Sequence, residues 1–352
     1  MTILKTPVRI TGLKTLTLAL GLAVGAAALG GTASAADDLD RIGIDYAYYN
    51  PVALLLKEKG WVEEEFEGED IEVDWVLSLG SNKALEFLNG SSIDFGSTAG
   101  AAALLGKANG NPIKSIYVYS KPEWTALVTR PDTGIETIED LKGKRVAVTR
   151  GTDPHIFLLR ALDSVGLTED DIKVVLLQHP DGFRALDSGQ VDAWAGLDPH
   201  MAKGELESGA KLFYRAPDLN TYGILNVRED FAEAHPEIVE RVLAVYERGR
   251  VYALENPEEL NEYLRKYTKV SEEVAAKQLG ERTDLTDPVI GPEHRESLLA
   301  AGLILQEIGL LNQDVSVEAE LDDLIDNRFI DAVRERQQAQ VRTQGQTQQA
   351  AE

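Results

Sequence analysis

Leu88-Asn89-Gly90-Ser91-Ser92-Ile93-Asp94 returns later in the chain as Leu186-Asp187-Ser188-Gly189-Gln190-Val191-Asp192. In both copies a helical run ends at leucine, the backbone turns at glycine and a short apolar strand follows, as two similar α/β lobes in one polypeptide would read. Two alike lobes joined by a hinge leave a cleft, and clefts between domains are where small ligands usually bind.

Outward from the first copy, strands and helices alternate. Arg41 to Tyr46 reads as a strand and Val52 to Lys59 as a helix, with Asn50 at the N-cap and Pro51 at the first helical position. Ile71 to Val76 alternates as a strand should; a helix then runs from Gly80-Ser81-Asn82 to Leu88, and an Ala-rich helix spans Ala99 to Ala108. Around the second copy, Lys144 to Val148, Val174 to Leu177 and Ala193 to Ala195 read as strands, and Ile156 to Val165 and Gly182 to Leu186 as helices. Ile113 to Tyr119 and Trp124 to Thr129 are further strands, and Tyr222 to Val227 is a return crossing. Beyond it the chain is helical, with Pro236, Pro257 and Pro292 each in a first turn. The order predicts an α/β protein of mostly parallel sheets with helices on both faces. Lobe 1 is expected over 36–120 and 224–336 and lobe 2 over 121–223, with hinge strands crossing near Ser120 to Trp124 and Asn220 to Gly223. The segment 337–352, with seven glutamines and almost nothing apolar, predicts a disordered or frayed tail.

The amino terminus predicts export. Lys5, Arg9 and Lys14 precede an uncharged apolar run from Leu16 to Leu29, and Ala33-Ser34-Ala35 is a small-residue cleavage pattern, so a Sec signal peptide cut after Ala35 and a periplasmic location are expected. The chain has no cysteine, which excludes a lipoprotein anchor, disulfides and thiolate metal sites. Removing residues 1–35 takes away three cations and no acid, moving the net charge from −24 to −27. Such a charge disfavours nucleic acid and anionic lipid. The acids sit in surface-like runs such as Glu63-Glu64-Glu65 and Glu169-Asp170-Asp171. Adaptation to high salt would fit them: screening should raise the thermal midpoint between low and molar NaCl, and a flat response would count against it.

Three turns carry the candidate chemistry: Gly80-Ser81-Asn82, Gly96-Ser97-Thr98 and Gly151-Thr152-Asp153. Each is read between a strand and a helix, where small polar side chains and free backbone N–H groups meet at the carboxyl edge of a sheet and attract anionic groups. For any one of them plain helix capping is the better reading; it is the three together in a two-lobed exported chain that point to ligand contact. These turns, the signal peptide, Tyr49-Asn50-Pro51 after the first strand and Gly189-Gln190-Val191-Asp192-Ala193-Trp194 together resemble the aliphatic sulfonate, nitrate and taurine type of periplasmic binding proteins of ABC importers, from about Leu39 to Glu335. The resemblance implies the type II periplasmic-binding-protein fold, two lobes that close over one ligand and a membrane permease as partner. It places Asn50, Ser81, Asn82, Ser97 and Thr98 as ligand residues of the first lobe and Thr152, Asp153, Trp194 and Asp198 as those of the second. Tyr49, with Tyr46, Tyr48 and Trp124, is read either as lining the cleft mouth or as core, since aromatic residues near strand ends serve both. A monomer without cofactor or metal is expected.

Where many relatives read Trp-Asp-Pro, this chain has Leu197-Asp198-Pro199, and Asp153 and Asp198 would stand beside an anion. Carboxylates repel a bare nitrate or sulfate and welcome an ammonium group, so a small organosulfonate or related zwitterion is preferred, with a pyrimidine precursor or other nitrogen compound as the alternative. Arg150 and Arg184 could grip a sulfonate or simply pair with surface acids. His155 and His200 are scattered rather than clustered for a metal. A related biosynthetic enzyme is the rival from another class, with His155 as the residue to examine, but no Gly-x-Ser-x-Gly, Walker, dinucleotide or His-Glu-x-x-His motif is present.

Overall fold

A computed structural model describes residues 39–285 and 287–351. The predicted signal peptide lies outside the described residues. The strands are β1 (Arg41–Tyr46), β2 (Glu72–Leu77), β3 (Phe95–Ala99), β4 (Ile113–Pro122), β5 (Leu127–Thr129), β6 (Arg145–Val148), β7 (Lys173–Leu176), β8 (Ala193–Ala195), β9 (Lys211–Tyr214), β10 (Gly223–Arg228) and β11 (Thr283–Asp284). They form two sheets, ordered β11-β4-β10-β3-β1-β2 and β7-β6-β8-β5-β9. Both are mixed. Pairing is parallel among β1, β2 and β3 and among β6, β7 and β8, where helices intervene, and antiparallel around β10 and β5, where the chain has just crossed between sheets.

Helices cover both faces of each sheet. Ile42 and Ile44 of β1 pack with Val52 and Leu55 of the helix Pro51–Lys59 and with Val242 and Tyr246 of Pro236–Glu255. Leu104, Leu298 and Leu321 form the opposite layer. In the second sheet, Val146 and Val148 of β6 meet Leu158 and Leu162 of Asp153–Ser164, while Ala147 faces Phe183, Leu186 and Trp194. The alternation along β6 fixes both layers, because successive side chains leave a strand on opposite faces. As predicted, Asn50 caps its helix by accepting from Ala53 N–H at 3.1 Å, and Pro236, Pro257 and Pro292 each open one.

The repeated phrase does the same work twice. Asp94 accepts a hydrogen bond from Gly43 N–H of β1 at 2.7 Å, and Asp192 accepts from Arg145 N–H of β6 at 2.9 Å. In each sheet the carboxylate that closes the phrase clamps a backbone N–H in the first half of the neighbouring parallel strand. Arg145 adds guanidinium bonds to Asp192 at 2.7 and 3.1 Å, which hold that carboxyl down at about 2.

Two expectations are corrected. Gly96-Ser97-Thr98 is not a turn but the centre of β3, paired with β10 from Phe95 to Ala99. Its small residues admit a close neighbour, since a Cβ on Gly96 would lie 2.7 Å from Leu88 Cδ1. The segment from Gln337, read as unstructured, continues the final helix Arg328–Ala351, anchored by the buried Phe329, Ile330 and Val333. Among the described residues no helix is long and apolar enough to cross a membrane.

The chain passes from the first sheet to the second between β4 and β5 and returns between β9 and β10. These crossings are tied to each other: Thr125 N–H donates to Asn220 Oδ1 at 3.0 Å.

Candidate functional site

Where the sheets face each other, two small gaps adjoin. One, narrow and partly open to solvent, is lined by Tyr49, Ser81, Ala99, Trp124, Thr152, Asp153, Pro154, His179 and Leu197. The other shares Tyr49, His179 and Leu197 and reaches Tyr48, Ser78, Asp198 and His200. The 80 and 151 loops thus converge from different sheets and touch: a Cβ on Gly151 would lie 3.7 Å from Asn82 Cβ, while one on Gly80 would lie 3.1 Å from His179 Nε2 of the other half and 2.8 Å from Asn82 Oδ1 of its own loop. Gly151 also has φ +76°, a left-handed turn that other residues resist. Gly80 is present for close approach. Gly80→Ala is expected to leave the thermal midpoint nearly unchanged, because the Asn82 amide can swing aside and separated halves relieve the His179 contact, while weakening ligand affinity by roughly tenfold or more, about 1.4 kcal/mol. Calorimetry beside a melting curve checks both.

The sequence-derived residues fall into three groups. Ser81, Thr152 and Asp153 line the first gap together with Tyr49, and Asn82 stands at the loop contact with its Oδ1 buried and unpartnered. Ser81 Oγ accepts from Ala99 N–H at 3.0 Å, and Thr152 Oγ1 donates to Thr149 O at 2.6 Å, so each is already oriented. Asn50 and Ser97 lie behind this wall. Asn50 Nδ2 donates to Ser97 Oγ at 2.8 Å, Ser97 donates both N–H and Oγ–H to Asp45 Oδ1 at 2.8 and 2.7 Å, and Tyr49 O–H donates to Ser97 O at 3.2 Å. They position Tyr49, whose ring meets Trp124 edge-on at 5.7 Å.

Thr98 and Trp194 are not at the gaps. Alternation on β3 turns Thr98 the other way, where its Oγ1 accepts from Asn226 Nδ2 at 2.8 Å. Trp194 is fully buried with Phe183 in the core of the second sheet, its ring filling the space over Gly182, so it offers no stacking wall. Asp198 lines the second gap but is held by Arg282 at 3.3 Å and by Ala202 N–H at 2.8 Å. Arg282 also reaches Glu205 at 2.5 Å, so a buried guanidinium from the segment leading into β11 grips two acids beside the second sheet. Burial pushes the Asp198 carboxyl up to about 6 despite this partner.

Asp153 is the best-connected of the set. It accepts from Trp124 Nε1 at 2.8 Å and Thr221 N–H at 3.0 Å on Oδ2, and from Thr221 Oγ1 at 2.6 Å on Oδ1. Trp124 and Thr221 belong to the two crossings, so one carboxylate holds both. Its pKa is raised by burial, with these hydrogen bonds opposing.

Sequence reasoning missed Asp45, His179 and Arg282. Asp45 is fully buried at the end of β1 and its Oδ2 has no partner, so desolvation raises its pKa from 3.8 to about 6. A carboxyl whose folded pKa is raised destabilises the fold as pH climbs from about 4 to about 6, since the folded state holds the proton longer. Asp45→Asn keeps the Oδ1 acceptor, carries no charge to desolvate and turns an amide donor toward the neighbouring Ser78 hydroxyl, itself without another partner. The variant is expected to gain about 1–3 kcal/mol over wild type at pH 7 and to lose that advantage by pH 4, read from urea unfolding at both pH values.

His179 opens the helix His179–Asp187 and is buried, and its pKa falls to about 3 through desolvation. The Gln178-His179-Pro180 sequence signals only a helix start. His155 instead meets Glu169 at 3.2 Å and does not line the gaps; Arg150 pairs with Glu169 and Arg184 with Asp181. Among the described residues no group of three or more metal-binding side chains converges.

A family description, NMT1/THI5 like, matches residues 52–260. The chain belongs to the NMT1/THI5-like family. This family member is 28% identical over 293 residues, 82% of its length and 86% of the relative's, to a Bacillus subtilis (strain 168) protein named for binding aliphatic sulfonates. The periplasmic aliphatic sulphonate binding protein SsuA from Escherichia coli matches with TM-score 0.68 and 26% identity, over 82% of this chain and 92% of that one. The alkanesulfonate-binding protein SsuA from Xanthomonas axonopodis pv. citri, bound to MOPS, matches with TM-score 0.74 over 82% and 99% of the two chains; at 23% identity that likeness is one of fold.

Proposed function

We propose that this NMT1/THI5-like chain is an extracytoplasmic solute-binding protein that captures a small organosulfonate, or a related small acid or zwitterion, between its two sheets and delivers it to an ABC permease. One observation carries the reading: the helices Ser81–Asn89 and Asp153–Ser164, from different sheets, open by their amino termini on one gap. Lys83 N–H and His155 N–H already bond back to Gly80 O and Thr152 O and Pro154 has no N–H, so an anionic head would rest on the N–H groups of Ser81, Asn82 and Asp153 ahead of them, helped by the positive potential of the peptide dipoles from both sides. The names of the relatives support the same ligand class. Contacts that exist only when both halves meet shift the population toward closure, and the closed shape is what the permease would read. The crossings at Ser120 to Trp124 and Asn220 to Gly223 serve as hinge, the protein acts as a periplasmic monomer, and the rival enzyme reading loses support because His155 stands away from the gaps.

Calorimetry against alkanesulfonates, taurine, nitrate and pyrimidine precursors tests the proposal. Micromolar or tighter binding of a sulfonate is expected, and heat from nitrate alone, or from pyrimidine precursors alone, overturns it.

A further inference from the structure

Neither gap between the sheets is lined by lysine or arginine, yet Asp153 and Asp198 line them. An anionic head can rest on backbone N–H groups, but the rest of the guest meets acceptors. The most exacting of these is His179. Thr149 Oγ1 donates its one proton to Leu177 O at 2.7 Å, so toward the His179 Nδ1 that stands 3.2 Å away it can only accept. Nδ1 therefore carries the ring proton, and Nε2 is left with a bare lone pair. That atom is buried, has no partner in the protein and belongs to the one imidazole that borders both gaps, against the Gly80 loop of the opposite sheet. Its environment keeps the ring neutral, since burial disfavours the imidazolium.

We infer that His179 determines ligand specificity: its Nε2 lone pair requires a hydrogen-bond donor on the guest and selects sulfonates that carry an ammonium or hydroxyl group over those ending in a methyl. The inference rests on the organosulfonate reading and goes further by naming which sulfonates are chosen and by which atom. An alkyl tail placed against Nε2 would leave a buried acceptor unpaired. A sulfonate oxygen placed there would set lone pair against lone pair. An N–H or O–H satisfies the site, and discrimination by a buried hydrogen-bonding group far exceeds what a methylene contributes.

Taurine, isethionate and 1-propanesulfonate share a size and differ only in ending in NH3+, OH or CH3, so calorimetry of the full chain with these three is the test. Wild type is expected to bind one or both donor-bearing sulfonates at least tenfold more tightly than propanesulfonate. His179→Leu is expected to erase that ratio, and His179→Gln, which can return an acceptor near the Nε2 position, to restore part of it. Equal affinities for all three on wild type, or a uniform loss for all three in both variants with no change in ratio, overturns the role of His179 alone. Absence of heat with every sulfonate removes the organosulfonate reading itself, and the inference with it.

Discussion

Asp153→Ala is expected to be among the most damaging single changes in the chain, lowering stability by about 3–5 kcal/mol and abolishing ligand binding. The substitution removes one acceptor and strands three buried donors: Trp124 Nε1, Thr221 N–H and Thr221 Oγ1. A buried donor without a partner costs about 1–3 kcal/mol, and the three do not add fully because Thr221 Oγ1 can rotate. The damage also spreads across the sheets. Thr221 Oγ1 accepts from Ala101 N–H at 3.1 Å, at the start of the helix Gly100–Ala108 that packs on the first sheet, so the Asp153 network links a helix of one half to a helix of the other through a crossing. Asp153→Asn should cost less, since its oxygen can serve Trp124 and Thr221 N–H together while Thr221 Oγ1 loses its acceptor. Urea unfolding of both variants, followed by Trp fluorescence, measures the order; equal losses would show that packing, not hydrogen bonding, sets the value of the site.

Arg282→Met is the second large effect. Arg282 is 5% exposed and faces Asp198, which is 1% exposed, and Glu205. Removing one partner of a buried ion pair leaves an uncompensated charge, which costs about 3–5 kcal/mol, a fall in thermal midpoint on the order of 10 °C. The sign with pH follows from Asp198. Its carboxyl is already raised to about 6 with the guanidinium in place, and without it the proton is held to higher pH still. The penalty of Arg282→Met should therefore be largest above neutrality and shrink as pH falls toward 5, where a neutral Asp198 needs no cation. Adding Asp198→Asn should recover most of the loss at pH 7. A penalty that is the same at pH 5 and pH 8 would exclude this electrostatic account.

Much of the architecture was legible because it is written locally. Strand and helix alternation, Asn50-Pro51, the first-turn prolines and the doubled glycine phrase all act within a few residues, and the repeat correctly implied two sheets of one plan. Gly96-Ser97-Thr98 misled because glycine, serine and threonine are turn formers in isolation. Only the pairing with β10, whose sequence lies far along the chain, makes them a central strand. Trp194 misled for a related reason: the motif placed it beside the cleft in sequence, but the face on which a strand residue points depends on what covers each side. At the site, Ser81, Thr152 and Asp153 were readable as helix starts. The groups that give the cleft its character were not, because burial without a partner is a property of assembled neighbours: Asp45 Oδ2 and His179 Nε2 are defined by what does not reach them. Arg282 lies 84 residues from Asp198 and has no local signature.

The bond from Thr125 to Asn220 has one further consequence. Two independent tethers would let the halves slide, roll and swing separately. Stitched together at mid-length, with Asp153 gripping the same pair, they behave as a single flexible ribbon and leave chiefly one rotation. On the proposed reading a guest would not be half-released by shear: it would be enclosed by both walls or exposed to solvent, and a transport partner would meet something close to a binary signal.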